Sequence, residues 1–171
     1  MVMFPKVIIP ITAGRTMSIK LLEEAQRNNE YIGILTQNNS SIENPTTADL
    51  FNVGTLAKII KIITLPEGNI TAITRGYQRF KVKEFTGTKP YFKAKVTKLK
   101  DSTTKKKEEY EALLENIKDL ALKIIDIDPN IPSAANFAIK NISDNEDLLN
   151  FISSNANFSP NQKQKLLEEK S

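Results

Sequence analysis

No cysteine and no histidine occur in the 171 residues, and tryptophan is absent as well. Without Cys or His the chain lacks the usual zinc and haem ligands, a thiol nucleophile and the imidazole of a Ser-His-Asp triad. Those chemistries are excluded. A carboxylate pair and a Ser-Lys dyad survive the exclusion, but neither leaves a signature here. The missing Cys accords with a reducing compartment. Long hydrophobic runs are lacking too. The stretch from Val7 to Ile11 is broken by Pro10 and falls far short of the roughly 20 residues a membrane helix needs. The opening "MVMFPKVIIPITAGR" has no basic leader or small-residue cleavage site. The expectation is a soluble, cytoplasmic protein with no membrane partner, long enough to bury roughly 70% of its unfolded surface without disulfides or metal.

Charge is unevenly spread. Residues 1–100 carry 15 Lys/Arg against 7 Asp/Glu, a net of +8, whereas residues 101–171 carry 9 against 13, a net of −4. The chain therefore divides into two electrostatic parts.

The stretch "DLFNVGTLAKIIKIITLPEGN" (Asp49 to Asn69) could form a helix, because Val53, Leu56, Ile59, Ile60 and Ile63 share a face at helical spacing. Gly54 would cost such a helix about 1 kcal/mol relative to Ala, and the β-branched residues favour a strand. Pro66-Glu67-Gly68 has the composition of a reverse turn. The segment is read as the first arm of a hairpin, with "ITAITRG" and "RFKVKEF" as the return. Similar patterning gives strands at Lys6–Ile11, Tyr31–Gln37 and Tyr91–Thr97. A short helix follows Ser18, read as its N-cap. Residues 1–100 thus form a mostly β lobe with one short helix.

Beyond it, apolar residues from Lys105 to Ile125 recur at helical spacing and "DIDPNIP" ends the run. Further helices are predicted from Ser133, from Ser143 with Glu146 as a capping box, and from Ser159 with Pro160 at the first helical position. Residues 101–171 form a small helical bundle. Its last helix carries Leu166 and Leu167 with no cap after them, the pattern of a piece of a longer chain.

"AGRTMSIK" sets a glycine and cations before a helix, yet it fails the phosphate-loop pattern and reads as a strand-turn-helix connection. Asp126 and Asp128 sit beside a proline turn and read as helix termination rather than as a metal or acid-base pair. The run from Arg75 to Lys100 interleaves cations with aromatics, as single-strand nucleic-acid surfaces do. Its candidate residues are Arg79, Lys81, Lys83, Lys93 and Lys95. Alternation, however, turns Phe80, Val82, Phe92 and Val96 away from the cations, so a solvated strand face is favoured. The start of the next helix, "TTKKKEEYE", reads as mixed surface charge.

In order, Phe4-Pro5, Ser18-Ile19 with Glu23-Glu24-Ala25, Ile32-Gly33 to Gln37, Asp49 to Ala57, Leu65 to Gly68, and Gly76 with Arg79 resemble the N-terminal domain of the ATP-dependent protease Lon family. The resemblance is strong over about the first 100 residues and looser beyond. The family's usual Leu-Pro-x-Arg segment ahead of Phe-Pro is not present. The resemblance implies an α+β fold: a β-rich PUA-like pseudo-barrel lobe, then a helical lobe. It also implies the front of a homo-hexameric serine protease of the cytoplasm or an organellar matrix. The family's ATP, Mg and Ser-Lys sites lie in later domains, so no cofactor and no catalytic residue is expected in this chain. Its expected partners are unfolded or damaged proteins, which a receptor holds on an exposed apolar patch. Pro10, Ile63, Leu65 and Pro66 are the candidate patch. Nucleic acid on the Arg75–Lys100 face is the alternative partner.

Overall fold

The computed structural model describes residues 1–66, 68–100 and 107–169. Among these residues, five strands and one α-helix come first: β1 (Ile8–Ala13), α1 (Thr16–Asn28), β2 (Ile32–Ile34), β3 (Val53–Thr64), β4 (Ile70–Gly87) and β5 (Lys93–Lys98), with a 3-10 turn at Thr47–Asp49. Four helices follow: α2 (Lys107–Ile127), α3 (Ala134–Asn141), α4 (Asn145–Asn155) and α5 (Pro160–Glu168). The fold is α+β, with a β-rich lobe followed by helices.

The hairpin reading of the opening arm holds. β3 and β4 pair antiparallel from Val53↔Lys81 to Thr64↔Ile70. The turn is closed by the Gly68 N–H on the Leu65 carbonyl (3.0 Å), with Gly68 at φ 84°, a conformation that glycine adopts without steric cost. Gly54 has a different role. A Cβ there would lie 2.2 Å from the Ile34 carbonyl oxygen, so only glycine lets β2 approach β3. "ITAITRG" and "RFKVKEF" are one strand of 18 residues. Its first half pairs with β1 and its second half with β5, while β3 runs along the other edge.

The inner face of this sheet is the core. Ala13, Ile32, Ala57, Ile70 and Ala72 pack with Met3 and with Leu22 and Ala25 of α1. Burial of each large aliphatic side chain contributes about 1.5–3 kcal/mol before the entropy of ordering it is counted. The first residues belong to this lobe: the Thr55 hydroxyl donates to the Met3 carbonyl (2.6 Å) and Thr36 to the Met1 carbonyl (2.8 Å).

Several boundaries differ from the sequence reading. α1 starts at Thr16, so Ser18 lies inside the first turn; Arg15 occupies the cap position without a side-chain bond. The predicted strand Tyr31–Gln37 narrows to Ile32–Ile34, with an isolated bridge from Gln37 to Leu50. The cap of α4 is Asp144, not Ser143, because a carboxylate one residue nearer accepts the Asp147 N–H (2.9 Å). Ser159 caps α5 as predicted, with Gln162 closing the box and Pro160 at the start. Asp126 and Asp128 do serve the end of α2: Asp128 accepts from the Asn130 N–H and side-chain amide, and Asp126 from Asn136. The mixed-charge start at residues 101–106 lies outside the described residues.

α2, α3 and α4 pack around Leu114, Ile139 and Leu148. α5 instead reaches back to the β lobe, where Leu167 joins Val2, Phe4 and Val53. The Gln164 amide donates to the Val53 carbonyl (2.9 Å). A second tie runs from Lys6 to the start of α4, with its ammonium 2.7 Å from Asp147 and 3.5 Å from Asp144.

Candidate functional site

Antiparallel partners point to the same side of a sheet, so the register defines what the uncovered face presents. Three rows cross β1, β4 and β3: Ile8–Arg75–Lys58, then Pro10–Ile73–Lys61, then Thr12–Thr71–Ile63. The hydroxyls of Thr12 and Thr71 lie 3.1 Å apart, as side chains on one face must. From the intervening rows, Ile9–Thr74–Ile59 and Ile11–Ala72–Ile62, Ile9, Ile59, Ala72 and Ile62 join the core packed under α1. One face is thus covered by α1, and among the described residues none of the named core clusters lies on the other.

Register irregularities between Ile59 and Lys61 and between Leu56 and Ala57 leave Ile60 and Tyr77 unpaired. A residue added to one strand in this way is re-aimed by the local kink. Ile60, like Ile8, keeps 55% of its surface exposed. Tyr77 meets Tyr31 edge to face, with centroids 5.3 Å apart. Cations hold this pair: the Lys58 ammonium sits 4.9 Å above the Tyr31 ring and bonds Asn29 Oδ1 (3.0 Å), and the Arg75 guanidinium lies 5.8 Å from the Tyr77 ring. An antiparallel sheet with one free face normally turns polar side chains outward. Here Ile8, Pro10, Ile60, Ile63 and two tyrosines are turned there.

Of the residues singled out from sequence, Pro10 and Ile63 fall in adjacent rows of this face. Leu65 and Pro66 lie beyond Ile63 at the exposed hairpin tip. Ile8, Ile60, Tyr31 and Tyr77 complete the surface. Ile8 was recoverable from its period-two relation to Pro10; Ile60 and Tyr77 depend on register irregularities that no local pattern announces.

The basic candidates separate. Arg79 is not on an exposed cationic face: it is only 8% exposed, and its guanidinium donates to the carbonyls of Leu167 (2.8 Å) and Glu169. The return of α5 covers it. Lys81 and Lys83 are exposed. Lys95 lies 3.5 Å from Glu84, and Lys93 lies over the Tyr91 ring at 5.3 Å. Phe80 is buried as expected, Val82 and Phe92 are half-buried, and Val96 is exposed.

A second apolar surface runs along α2. Leu114, Ala121, Leu122 and Ile125 face α3 and α4, while Leu113, Ile117, Leu120, Ile124 and Ile127 remain exposed. Their alternating spacing of four and three is a heptad seam. Phe137 of α3 is exposed as well.

Among the described residues no group of three or more His, Cys, Asp or Glu could hold a metal. The geometry defines an α+β fold with an open apolar sheet face.

The whole chain, residues 1–171, matches the family described as the ATP-dependent protease La (LON) substrate-binding domain, and it belongs to that family. It is 42% identical over 167 residues to a Lon protease of Flavobacterium johnsoniae, covering 97% of this chain and 20% of that protein. It is 44% identical over 168 residues to a Lon protease of Cytophaga hutchinsonii, covering 98% and 21%. The chain thus spans about a fifth of the length of these relatives. Among solved structures, the N-terminal domain of a Mycobacterium avium complex Lon protease superposes with a TM-score of 0.73 at 19% identity, covering 99% of this chain and 86% of that one. At that identity the match speaks for the fold.

Proposed function

We propose that this chain is the receptor portion of a Lon-type ATP-dependent serine protease, capturing unfolded or damaged proteins on the outer face of β1, β4 and β3. The observation that carries this reading is the uncovered sheet face, where Ile8, Ile60 and Ile63 stand exposed beside Tyr31 and Tyr77. Folded proteins hide their apolar segments, so an open apolar face selects chains that have lost their fold. Each contact is weak. Several copies in a homo-hexameric parent would add by avidity. The parent's ATP, Mg and catalytic dyad would belong to its other domains, and its setting would be the cytoplasm or an organellar matrix. The α2 seam supports a second part of the reading, packing against a helix of a neighbouring subunit to aid assembly.

The test is binding of a chemically unfolded protein to wild type and to the double variant Ile8→Ser, Ile63→Ser. Both positions are surface-exposed, so the fold should persist. Two lost aliphatic contacts should weaken binding by about tenfold or more, with little dependence on salt. Undiminished binding by a folded double variant would exclude this face.

A further inference from the structure

The outer sheet face is apolar and also cationic on one side. Lys58 and Arg75 share the row of Ile8, and Lys61 shares the row of Pro10 and Ile73, whereas the third row, Thr12–Thr71–Ile63, carries no charge. β1, β3 and the first half of β4 contain no Asp or Glu. Asp144 and Asp147 bond Lys6, and Glu24 is hydrogen-bonded with the Tyr91 hydroxyl. Lys58 and Arg75 meet neutral groups, an amide oxygen and aromatic rings.

We propose that this face selects a particular class of unfolded segment, one whose apolar residues are followed on one side by Asp or Glu. The inference rests on the receptor reading above and adds charge specificity to it. An extended segment laid across the rows must cover Lys58, Lys61 and Arg75 to reach Ile8 and the tyrosines. Covering a cation without a counter-charge costs solvation that the apolar contacts must offset. A carboxylate at that point turns the cost into a charge-assisted hydrogen bond. A lysine there adds like-charge repulsion, which rejects the segment. Successive rows lie about 7 Å apart, two residues of extended chain. Carboxylates two to four residues from the apolar centre therefore reach Lys61, Arg75 and Lys58. The apolar end seats toward Ile63, Leu65 and Pro66.

The test uses the full chain and three fluorescent peptides with one shared Leu-Phe-Ile centre and a single flank of Asp, Ser or Lys, titrated at low and high salt. Asp-flanked peptide should bind about tenfold more tightly than Lys-flanked at low salt, with Ser between, and the gap should narrow as salt screens it. Lys58→Glu, Lys61→Glu, Arg75→Glu should invert the order. Because Lys58 and Arg75 also support the tyrosine pair, Lys61→Glu alone provides a milder variant that should reduce the gap several-fold without disturbing those rings. Equal affinity for all three flanks, or an unchanged order in Lys61→Glu and the triple variant, would overturn the proposal. If flank-independent binding were still lost in Ile8→Ser, Ile63→Ser, the receptor reading would stand while the charge specificity fell. No binding of any peptide would overturn both. A single-stranded oligonucleotide bound more tightly than the Asp-flanked peptide would also overturn it, since the cations would then serve phosphate.

Discussion

Gly54 lies on β3 beside the end of its partner strand β2, and the Ile34 carbonyl oxygen sits 2.2 Å from where its Cβ would be. Backbone cannot yield there as a flexible side chain could. Gly54→Ala should therefore destabilise the chain by about 3 kcal/mol or more, read as a lower urea midpoint at unchanged slope. Arg79 is the converse case, a residue whose role depends on a distant segment. Its guanidinium bonds carbonyls at the end of α5, and leaving buried carbonyls without a donor costs about 1–3 kcal/mol. Arg79→Met should release α5 first, so amide exchange at residues 160–169 should accelerate before exchange in β3 and β4 does. These residues show the limit of local reading. Gly54 was recognisable as a poor helix residue because its propensity is its own. Arg79 looked like one more exposed strand cation, because its partner carbonyls lie 88 and 90 positions along the chain.

At the scale of elements, the hairpin was legible because Pro66 and Gly68 mark the turn and β-branched residues fill both arms. The start of α1 was not, since the observed cap, Arg15, carries no capping signature while Thr16 and Ser18 inside the helix both do. The open face was only partly legible. β1 reads Ile8-Ile9-Pro10-Ile11, apolar on both sides, so alternation could not say which side α1 would cover. α2 carries two stripes for the same reason, one satisfied by α3 and α4 and one left exposed. If the exposed seam packs against another copy, Leu120→Glu should lower the mass seen by light scattering at high concentration and leave the helical signal intact. An unchanged mass would place assembly elsewhere.

The junction between lobes has its own pH signature. The hydrogen bond to Asp147 holds the Lys6 ammonium above its ordinary value of 10.5, with burial opposing. The Asp147 backbone N–H, aided by Lys6, holds the Asp144 carboxyl below its ordinary value of 3.8. A raised lysine stabilises below its unfolded value and loses that contribution as pH rises through the folded one; a lowered carboxylate stabilises above its unfolded value and loses it as pH falls through the folded one. The tie should be intact across neutral pH and weaken at both extremes. Lys6→Met should abolish the lysine's share, flattening the alkaline side of a stability profile. Because these groups are partly exposed, the effect should shrink in high salt.

At the scale of the whole molecule, the sheet joins two roles. Its inner face closes a core on α1, and its outer face stays open, with apolar rows ending at the hairpin tip and cations gathered toward the tyrosines. α5 and Lys6 bind the helices to that lobe, so the open face and the α2 seam are carried on one folded unit. Family membership was legible here through the order of motifs rather than through any reactive residue, since the proposed receptor surface needs area and shape instead of a fixed catalytic spacing. The most direct test is to map amide shifts in the full chain as an unfolded, non-labelled protein segment is added. Shifts should concentrate at Ile8–Thr12, Lys58–Leu65 and Thr71–Tyr77, while α1 and β5 stay quiet. Shifts centred instead on β5 and Lys81–Lys83, with the outer rows unmoved, would contradict it.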